Sequence, residues 1–572
     1  MVLSSTTTPN SNSNTKIFKN DEKSNYFTTN ITISESNSSS FGNYSSPSSP
    51  NMSSESINNH LNLSTSISST STNETSNSTT NTSTNSSLLD SIVDSFIKPL
   101  TNENLNLHSN LILEDFKESL SKDSITMLPN YNISPTGDEK GSYLVVDLGG
   151  STLRVAIVNI ESPTTEKQRK DRLKIIIEDK WIIPNEFKIL NYNFFRFIGF
   201  KIMETLEKQD LINISDVINT GITWSFPLDT TSYNNGKIRH VSKGYTIDSD
   251  IYDKDLKLIF ESILFKEFNL KIDIKLISND SLAVYSAGTF LDDKMKLAMV
   301  LGTGFNMCCQ LQTPDKNATG SDDTPQMHPK KLIDSKILIN TELSLFGQNL
   351  CNIFSTKYDG IIDSRFNNFK HHFKTFLSQD PENNLLFQPN ELMTSGRYLP
   401  ELNRLIIIDL INNGEILSNF NKSELHDLLE IKYDGFNGEL MCFINESNDY
   451  EQINLKFKKF YKLDKNLKNS DIDILKIIIE SILKRASFII ANSIIAFFKL
   501  FKIYNTNETN KGLITIGYVG SVLNFFNNYR KLIIDYVNNS SDAQTQGYSI
   551  DLKLIDNSSI IGAAIGAAYY SK

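Results

Sequence analysis

At 572 residues the chain is too long for one compact core, which implies two or more domains. Its 56 basic residues against 66 acidic ones give a net charge of -10, which argues against nucleic acid as a partner. The four cysteines, Cys308, Cys309, Cys351 and Cys442, lack metal-ligand spacing, so core packing in a reducing, cytoplasmic setting is expected.

Residues 1–87 are dominated by Ser, Thr and Asn with no apolar period, and read as a disordered tail. The start, Met1-Val-Leu-Ser-Ser, has neither a basic nor an apolar signal region, so the Asn-x-Ser/Thr sequons of the tail are not expected to be glycosylated. Helical spacing at 88–97 and 111–120 predicts two amphipathic helices. From Tyr143 the texture alternates. Strand-like runs at 143–147, 153–160, 173–177, 273–277, 297–301 and 513–517 are interleaved with helical runs such as 195–207, 254–264 and 471–501, the pattern of α/β domains. Residues 313–336 read as a surface insertion without chemistry. The most apolar run, 486–498, is shorter than the ~20 residues of a membrane span and is bracketed by Lys484, Arg485 and Lys499, so it reads as a buried helix. Near the C-terminus, 556–568 ends in a small-residue helix that allows close packing.

The run Asp147-Leu-Gly149-Gly150-Ser151-Thr152-Leu-Arg154, between two apolar strands, has the composition of a phosphate cradle. Glycines let backbone N–H groups approach an anion, the hydroxyls add donors, and a carboxylate at the strand end can meet a magnesium ion. The same residues also suit an ordinary hairpin with a Gly-Gly turn. A second turn of this kind, Gly302-Thr303-Gly304-Phe-Asn306, follows the strand at 297–301, and Gly520-Ser521 follows the strand at 513–517. Asn279-Asp280 closes another apolar strand, where it can place a general base or simply cap a helix.

Taken in order, Met127-Leu-Pro-Asn-Tyr131, Pro135 to Gly141, Asp147 to Arg154, Ser225-Phe-Pro227, Ser242-Lys243-Gly244, Asn279-Asp280, Gly302 to Asn306, Asn340-Thr-Glu342 and Glu391 to Leu399 resemble the hexokinase family over roughly 88–570. The resemblance implies a two-lobed α/β fold of the actin-like ATPase (ribonuclease H-like) type, with a sugar cleft between small and large lobes that closes on binding. It implies N-terminal helices over 88–139 packed on the large lobe, a small lobe over 140–278, a large lobe over 279–558 and a C-terminal helix over 559–572 returning to the small lobe. It further implies ATP and Mg2+, a small-molecule hexose or N-acetylhexosamine as partner, no nucleic acid, no membrane span, and a monomer or homodimer. Carried over residue by residue, Ser225, Ser242, Lys243, Asn279, Asp280, Asn306, Glu342 and Glu391 would line the hexose, with Asp280 as base and Lys243 as a catalytic cation. Asp147, Gly149, Gly150, Ser151, Thr152, Arg154, Gly302, Thr303, Gly304, Gly520 and Ser521 would face ATP, and Asp147 the magnesium.

Several positions depart from the family pattern. Ser151-Thr152 stands for the usual Thr-Asn and Ser242 for Thr, which keep a hydroxyl. Val519 stands where an acidic residue commonly precedes Gly-Ser. The Trp-Gly that normally follows the glutamate of Asn-x-Glu is Leu343-Ser344 here. Loss of the indole beside Glu342 would make room for a 2-substituent, with Ser344 or Asn306 able to pair its amide, since an unpaired buried polar group costs ~1 to 3 kcal/mol. The motif set is most similar to the N-acetylglucosamine kinase branch, which implies 6-phosphorylation of that sugar in amino-sugar catabolism. Two other readings remain open: a glucose and mannose hexokinase of glycolysis, in which Leu343 only repacks the surroundings, and a catalytically weak regulatory protein.

Overall fold

The computed structural model describes residues 87–131, 134–150, 152–164, 167–209, 216–226, 228–239, 241, 245–313, 326–367, 374, 376–377, 387–506 and 511–571. The tail expected over 1–87 lies outside them except for Ser87, which belongs to the folded part. Its hydroxyl accepts from the Asp90 N–H while the Asp90 carboxylate accepts from the Ser87 N–H, a reciprocal cap that starts the helix Leu88–Ile97.

Two sheets organise the rest. The first has five strands in the order Ile272–Ser278, Ile218–Trp224, Gly141–Leu148, Thr152–Ile160 and Leu173–Ile182. Its first three strands are parallel, and its last two turn antiparallel. The central strand Gly141–Leu148 is buried from Tyr143 onward, because helices cover both faces. Leu144, Val146 and Leu148 pack in a core with the helices Tyr192–Glu207 and Leu256–Phe268, whereas Tyr143 and Val145 face the C-terminal helix Ser558–Tyr569. The second sheet has six strands in the order Leu128–Asn130, Lys336–Asn340, Phe305–Gln312, Met295–Leu301, Gly512–Val519 and Tyr548–Leu554. The expected strands and helices are all present, mostly a few residues longer than their apolar runs, while the strands Ile218–Trp224, Phe305–Gln312, Lys336–Asn340 and Tyr548–Leu554 were not among the expected ones.

Behind the second sheet runs the helix Asn469–Tyr504, 36 residues long, whose stretch from Arg485 to Phe498 is buried on every side while its two ends keep charged residues toward solvent. Its most apolar 18-residue window is 83% buried in the fold, which makes it the core helix read from 486–498. The helices Leu88–Ile97 and Asn102–Ser121 pack on it. The Arg485 guanidinium lies over the Phe96 ring and pairs with Asp359 at 2.6 Å, both charges fully buried, and Phe116 contacts Phe497. Cys308, Cys309 and Cys351 are buried and all four thiols are free, in keeping with core packing.

The 313–336 segment departs from its surface reading where it is described. Lys331 is 3% exposed, and its ammonium donates to the Ser119 and Thr126 carbonyls and the Ser124 hydroxyl. These acceptors lie some two hundred positions away in sequence, so nothing local marks this lysine as buried.

The two sheets meet through two helices. Asp280–Leu291 leaves the five-stranded sheet for the six-stranded one, and Ser558–Tyr569 lies across it. A Cβ at Gly562 would collide with the Ala283 carbonyl, and one at Gly221 with the Ala563 carbonyl, so the small-residue run is what lets helix, helix and sheet approach so closely.

Candidate active site

Each sheet turns a glycine-containing hairpin toward the space between them. In the first, the strands Gly141–Leu148 and Thr152–Ile160 place Asp147 directly opposite Arg154. Both Nε and Nη2 of Arg154 reach one Asp147 oxygen, at 2.8 and 2.7 Å, and its Nη1 lies 3.4 Å from Glu178 and from the Asn557 side chain. Arg154, expected to face phosphate, is thus held by Asp147. Burial pushes the Asp147 carboxyl above the usual carboxylate range, Arg154 pulls it back, and the charge of Asp280 pushes it up again. Asp147 and Asp280 stand at the same ends of parallel strands of one sheet, two strands apart. Gly149 N–H donates to the Thr152 carbonyl to close the turn, and Ser225 N–H donates to Leu148 on the neighbouring strand end. Gly150 and Thr152 are half-buried beside it. Ser151, Ser242 and Lys243, with Gly244, lie outside the described residues.

The strand Ile272–Ser278 delivers Asn279 and Asp280 to a helix start. Asn279 is the cap: its Oδ1 accepts from the Ser281 N–H at 3.0 Å and the Ser281 hydroxyl at 2.9 Å. Asn279 caps, as the capping reading expects, and Asp280, the first helical residue, is half-buried, with its Oδ1 accepting from the Ser281 N–H at 2.7 Å.

From Ser281 a chain of side-chain amides leads away under the second hairpin. Asn306 Oδ1 accepts from the N–H groups of Met307 at 2.8 Å and Leu343 at 3.2 Å, which fixes its orientation so that Nδ2 donates to Asn340 Oδ1 at 2.8 Å. Asn340 Nδ2 in turn donates to Glu342 at 2.7 Å. Glu342 holds a left-handed backbone (φ 50°), an uncommon state for a glutamate and one associated with functional sites. Glu391, on the helix Pro389–Thr394, accepts from the Phe305 N–H at 3.0 Å and fills the space where a Cβ at Gly304 would stand.

The second turn is fastened from three sides. Besides Glu391, the Ser395 hydroxyl donates to the Thr303 carbonyl and Gly396 N–H to Gly302, while Gly520 and Ser521 lie against Gly302. Thr303 is exposed at the tip. Gly520 has φ 118°, which lets the chain pass over the Leu301 carbonyl where a Cβ could not fit.

Leu343 is 0% exposed and packs in the large core, with its backbone held by Asn306 and by Asn390 Nδ2. Its side chain thus lies beneath the Glu342 turn and does not line the cleft. Ser344 is 3% exposed and its hydroxyl accepts from Gln388 Nε2 at 3.0 Å. Sequence reasoning missed Asn340, Ser281, Gln388 and Asn390 as parts of this network. Asn340 had a signal: it opens the Asn340-Thr-Glu342 motif that carries the family resemblance.

The hexokinase family profile matches in two parts, residues 88–290 and 296–569. The chain belongs to the hexokinase family. This hexokinase is 56% identical over 468 residues to N-acetylglucosamine kinase 1 of Candida albicans, covering 82% of this chain and 91% of that protein. It is 24% identical over 470 residues to Glucokinase-1 of Saccharomyces cerevisiae, covering 78% and 88%, and 27% identical over 321 residues to Hexokinase-1 of the same yeast, covering 55% and 59%. The solved hexokinase from Schistosoma mansoni in complex with glucose superposes with a TM-score of 0.65 at 20% identity, covering 84% of this chain and 99% of that one. The fold is therefore the two-lobed α/β fold that the motifs implied, and the chain is an ATP-dependent sugar kinase.

Proposed function

We propose that this hexokinase transfers the terminal phosphoryl group of ATP to the 6-hydroxyl of N-acetylglucosamine. The observation that carries the choice of sugar is the 56% identity, across 82% of the chain, to a kinase named for that sugar. Asp280 accepts the 6-hydroxyl proton as the new bond to phosphorus forms, help of a kind that supplies about 10²- to 10⁴-fold. Asn279, Asn306, Glu342 and Glu391 orient the sugar hydroxyls, with Asn340 tying two of them, Asn306 and Glu342, into one unit. The turns at Gly149–Thr152, Gly302–Gly304 and Gly520–Ser521 offer backbone N–H groups to the phosphates, and Ser225, Ser242 and Lys243 complete the sugar and phosphoryl contacts.

Asp147 is the residue that would hold magnesium. Magnesium takes one or two carboxylates and draws its other ligands from substrate phosphates and water. Arg154 reaches only one Asp147 oxygen, and burial keeps the carboxyl above its ordinary range, which fits a site where a cation would take the other oxygen and relieve the burial. The bound ion supplies charge neutralisation on the phosphates.

A coupled assay over a panel of hexoses tests the choice of sugar. The highest kcat/KM is expected for N-acetylglucosamine; high turnover of glucose with none of N-acetylglucosamine overturns the proposal.

A further inference from the structure

Arg397 is an exposed cation in a place that local structure does not favour. It stands two residues before the helix Leu399–Asn412, where the helix dipole prefers negative charge. Two acids of the neighbourhood are already engaged, Glu401 with Arg404 at 2.8 Å and Asp363 with Arg365 at 2.6 Å, and among the described residues Arg397 has no ion-pair partner. Val519, standing where an acidic residue is common, brings no carboxylate to the strand end beside Gly302 either.

Yet this guanidinium is held in place. It lies over the Tyr433 ring, 4.9 Å from the centroid, and Tyr398 meets the same ring edge-on at 6.2 Å. Tyr433 has a left-handed backbone (φ 67°), a genuine outlier for a bulky residue, and its N–H donates to Glu401 at 2.7 Å. Glu401 is buried with Arg404, whose Nη1 donates to the Leu428 and Leu429 carbonyls at 2.8 and 2.9 Å. A buried ion pair thus bends the chain at Tyr433 and sets its ring against an exposed arginine. The place adjoins the glycine turns of the second sheet. Gly396, the residue before Arg397, donates its N–H to the Gly302 carbonyl at 2.8 Å and lies so close to Val522, just past Gly520 and Ser521, that a Cβ could not fit. Burial raises the Tyr398 hydroxyl, the charge of Glu391 raises it further and Arg397 lowers it, so one hydroxyl senses both a carboxylate of the cleft and the guanidinium.

We propose that Arg397, mounted on Tyr433, is a nucleotide contact: its guanidinium edge donates to the phosphate oxygens of ATP and ADP, and Tyr433 is the positioning residue that fixes its plane. A planar fork matches phosphate with two parallel N–H donors, and an arginine ordered before the ligand arrives loses less freedom on binding. Tyr433 touches no nucleotide; it acts through Arg397. The stack answers on the nucleotide side to the amide chain that fixes Asn306 and Glu342 on the sugar side.

Arg397→Leu, Arg397→Lys, Tyr433→Phe and Tyr433→Asn, made separately in the full chain, test this; asparagine tolerates the left-handed backbone while removing the ring. ADP binding is measured by titration calorimetry without sugar, so the result stands whichever hexose is the substrate. The dissociation constant is expected to rise about ten- to thirtyfold in Arg397→Leu, as loss of a charge-assisted phosphate contact implies, and about three- to fivefold in Arg397→Lys and Tyr433→Asn, with Tyr433→Phe matching the unmodified protein. Adenosine is the comparison ligand, and its dissociation constant should change less than about twofold in every variant. A loss for adenosine as large as that for ADP would put the base, not the phosphates, against the guanidinium and overturn the proposal. Unchanged ADP affinity in Arg397→Leu, with or without a lower melting temperature, would reduce the stack to surface packing and overturn it too. Because the contact presupposes that the turns at 302–304 and 520–521 hold phosphate, Thr303→Tyr, which fills the tip of the first, separates two failures. Unchanged ADP affinity there removes the phosphate reading of the turns, whereas loss there with none in Arg397→Leu removes Arg397 alone.

Discussion

The hairpin turns at 149–151 and 302–304 come from similar glycine-rich sequences, yet the protein treats them differently. Among the described residues, the first is closed by its own backbone and flanked by the Asp147–Arg154 pair, whose carboxyl is held above its ordinary range. The second is fastened by Glu391, by Ser395 and Gly396, and by the Gly520 turn, with the Asn306–Asn340–Glu342 chain beneath it. Sugar recognition requires donors and acceptors fixed before the ligand arrives, because each freely moving side chain must be ordered on binding. Phosphate and its metal come and go as charge, and on that side the protein places a buried carboxylate and guanidinium paired with each other. One side of the cleft is built for shape, the other for charge.

The largest expected effect removes the group that serves both sides. Asp280→Ala should lower kcat by about 10²- to 10⁴-fold while the sugar dissociation constant changes only a few-fold, because a general base acts mainly in the transition state. Turnover retained within tenfold would contradict its role. On the charged side, Asp147→Asn should raise the KM for magnesium ATP and lower kcat/KM about a hundredfold, within the several kcal/mol that metal-borne charge supplies. Sugar affinity measured without nucleotide should not move. A carboxyl whose folded pKa is raised favours the fold at acid pH and loses that contribution as pH rises through the raised value. At neutral pH the amide should therefore hold or raise the melting temperature, and a large fall would show Asp147 to be a structural ion-pair member.

Much of this division is visible in the chain itself. Strand, glycine turn, strand is a local pattern, so the first hairpin, the turn at 302–304 and the strand that presents Asp280 can be read from residues within a dozen positions of one another, whereas the strand Phe305–Gln312 that completes the second hairpin is not among the expected ones. The pairing of Asp147 with Arg154 was within reach too: a turn closed between Gly149 and Thr152 places 148 opposite 153 and 147 opposite 154, a register that converts two apparent phosphate ligands into partners. Lys331 and the Asn306–Asn340 link were not within reach in the same way. Their partners come from strands and helices brought together by the fold, and a polar residue among polar neighbours looks identical whether it ends at the surface or inside. The family motifs supplied Glu342 and Glu391 and contain Asn340 itself, but nothing in them says that this amide joins Asn306 to Glu342.

That amide gives the test of the rigid side. Asn340→Ala strands the Asn306 amide and releases Glu342, each half-buried, so the specificity constant for sugar should fall about tenfold, as loss of one to two hydrogen bonds to a charged group predicts, with the KM for ATP unchanged. An equal loss on both substrates would mean that the chain supports the whole cleft and that the contrast between the two hairpins is false.

The smallest and most specific effect concerns Leu343. Because its side chain is wholly enclosed, it cannot be a wall against the 2-substituent; it can only set where the Glu342 turn rests. Leu343→Trp forces extra volume into a packed core, a change that costs about 1 to 3 kcal/mol of stability and is relieved by moving the least restrained neighbour. The turn above it already carries a left-handed residue and is held by two backbone bonds, to Asn306 and Asn390, so the displacement should pass into Glu342 toward the cleft. The ratio of kcat/KM for N-acetylglucosamine to that for glucose should then fall about threefold to tenfold, in step with the 1 to 3 kcal/mol that shape differences of a methylene or two usually decide. A lower melting temperature with an unchanged ratio would show that the core absorbs the indole without moving the turn, and that discrimination at the 2-position belongs to the polar groups of the cleft alone.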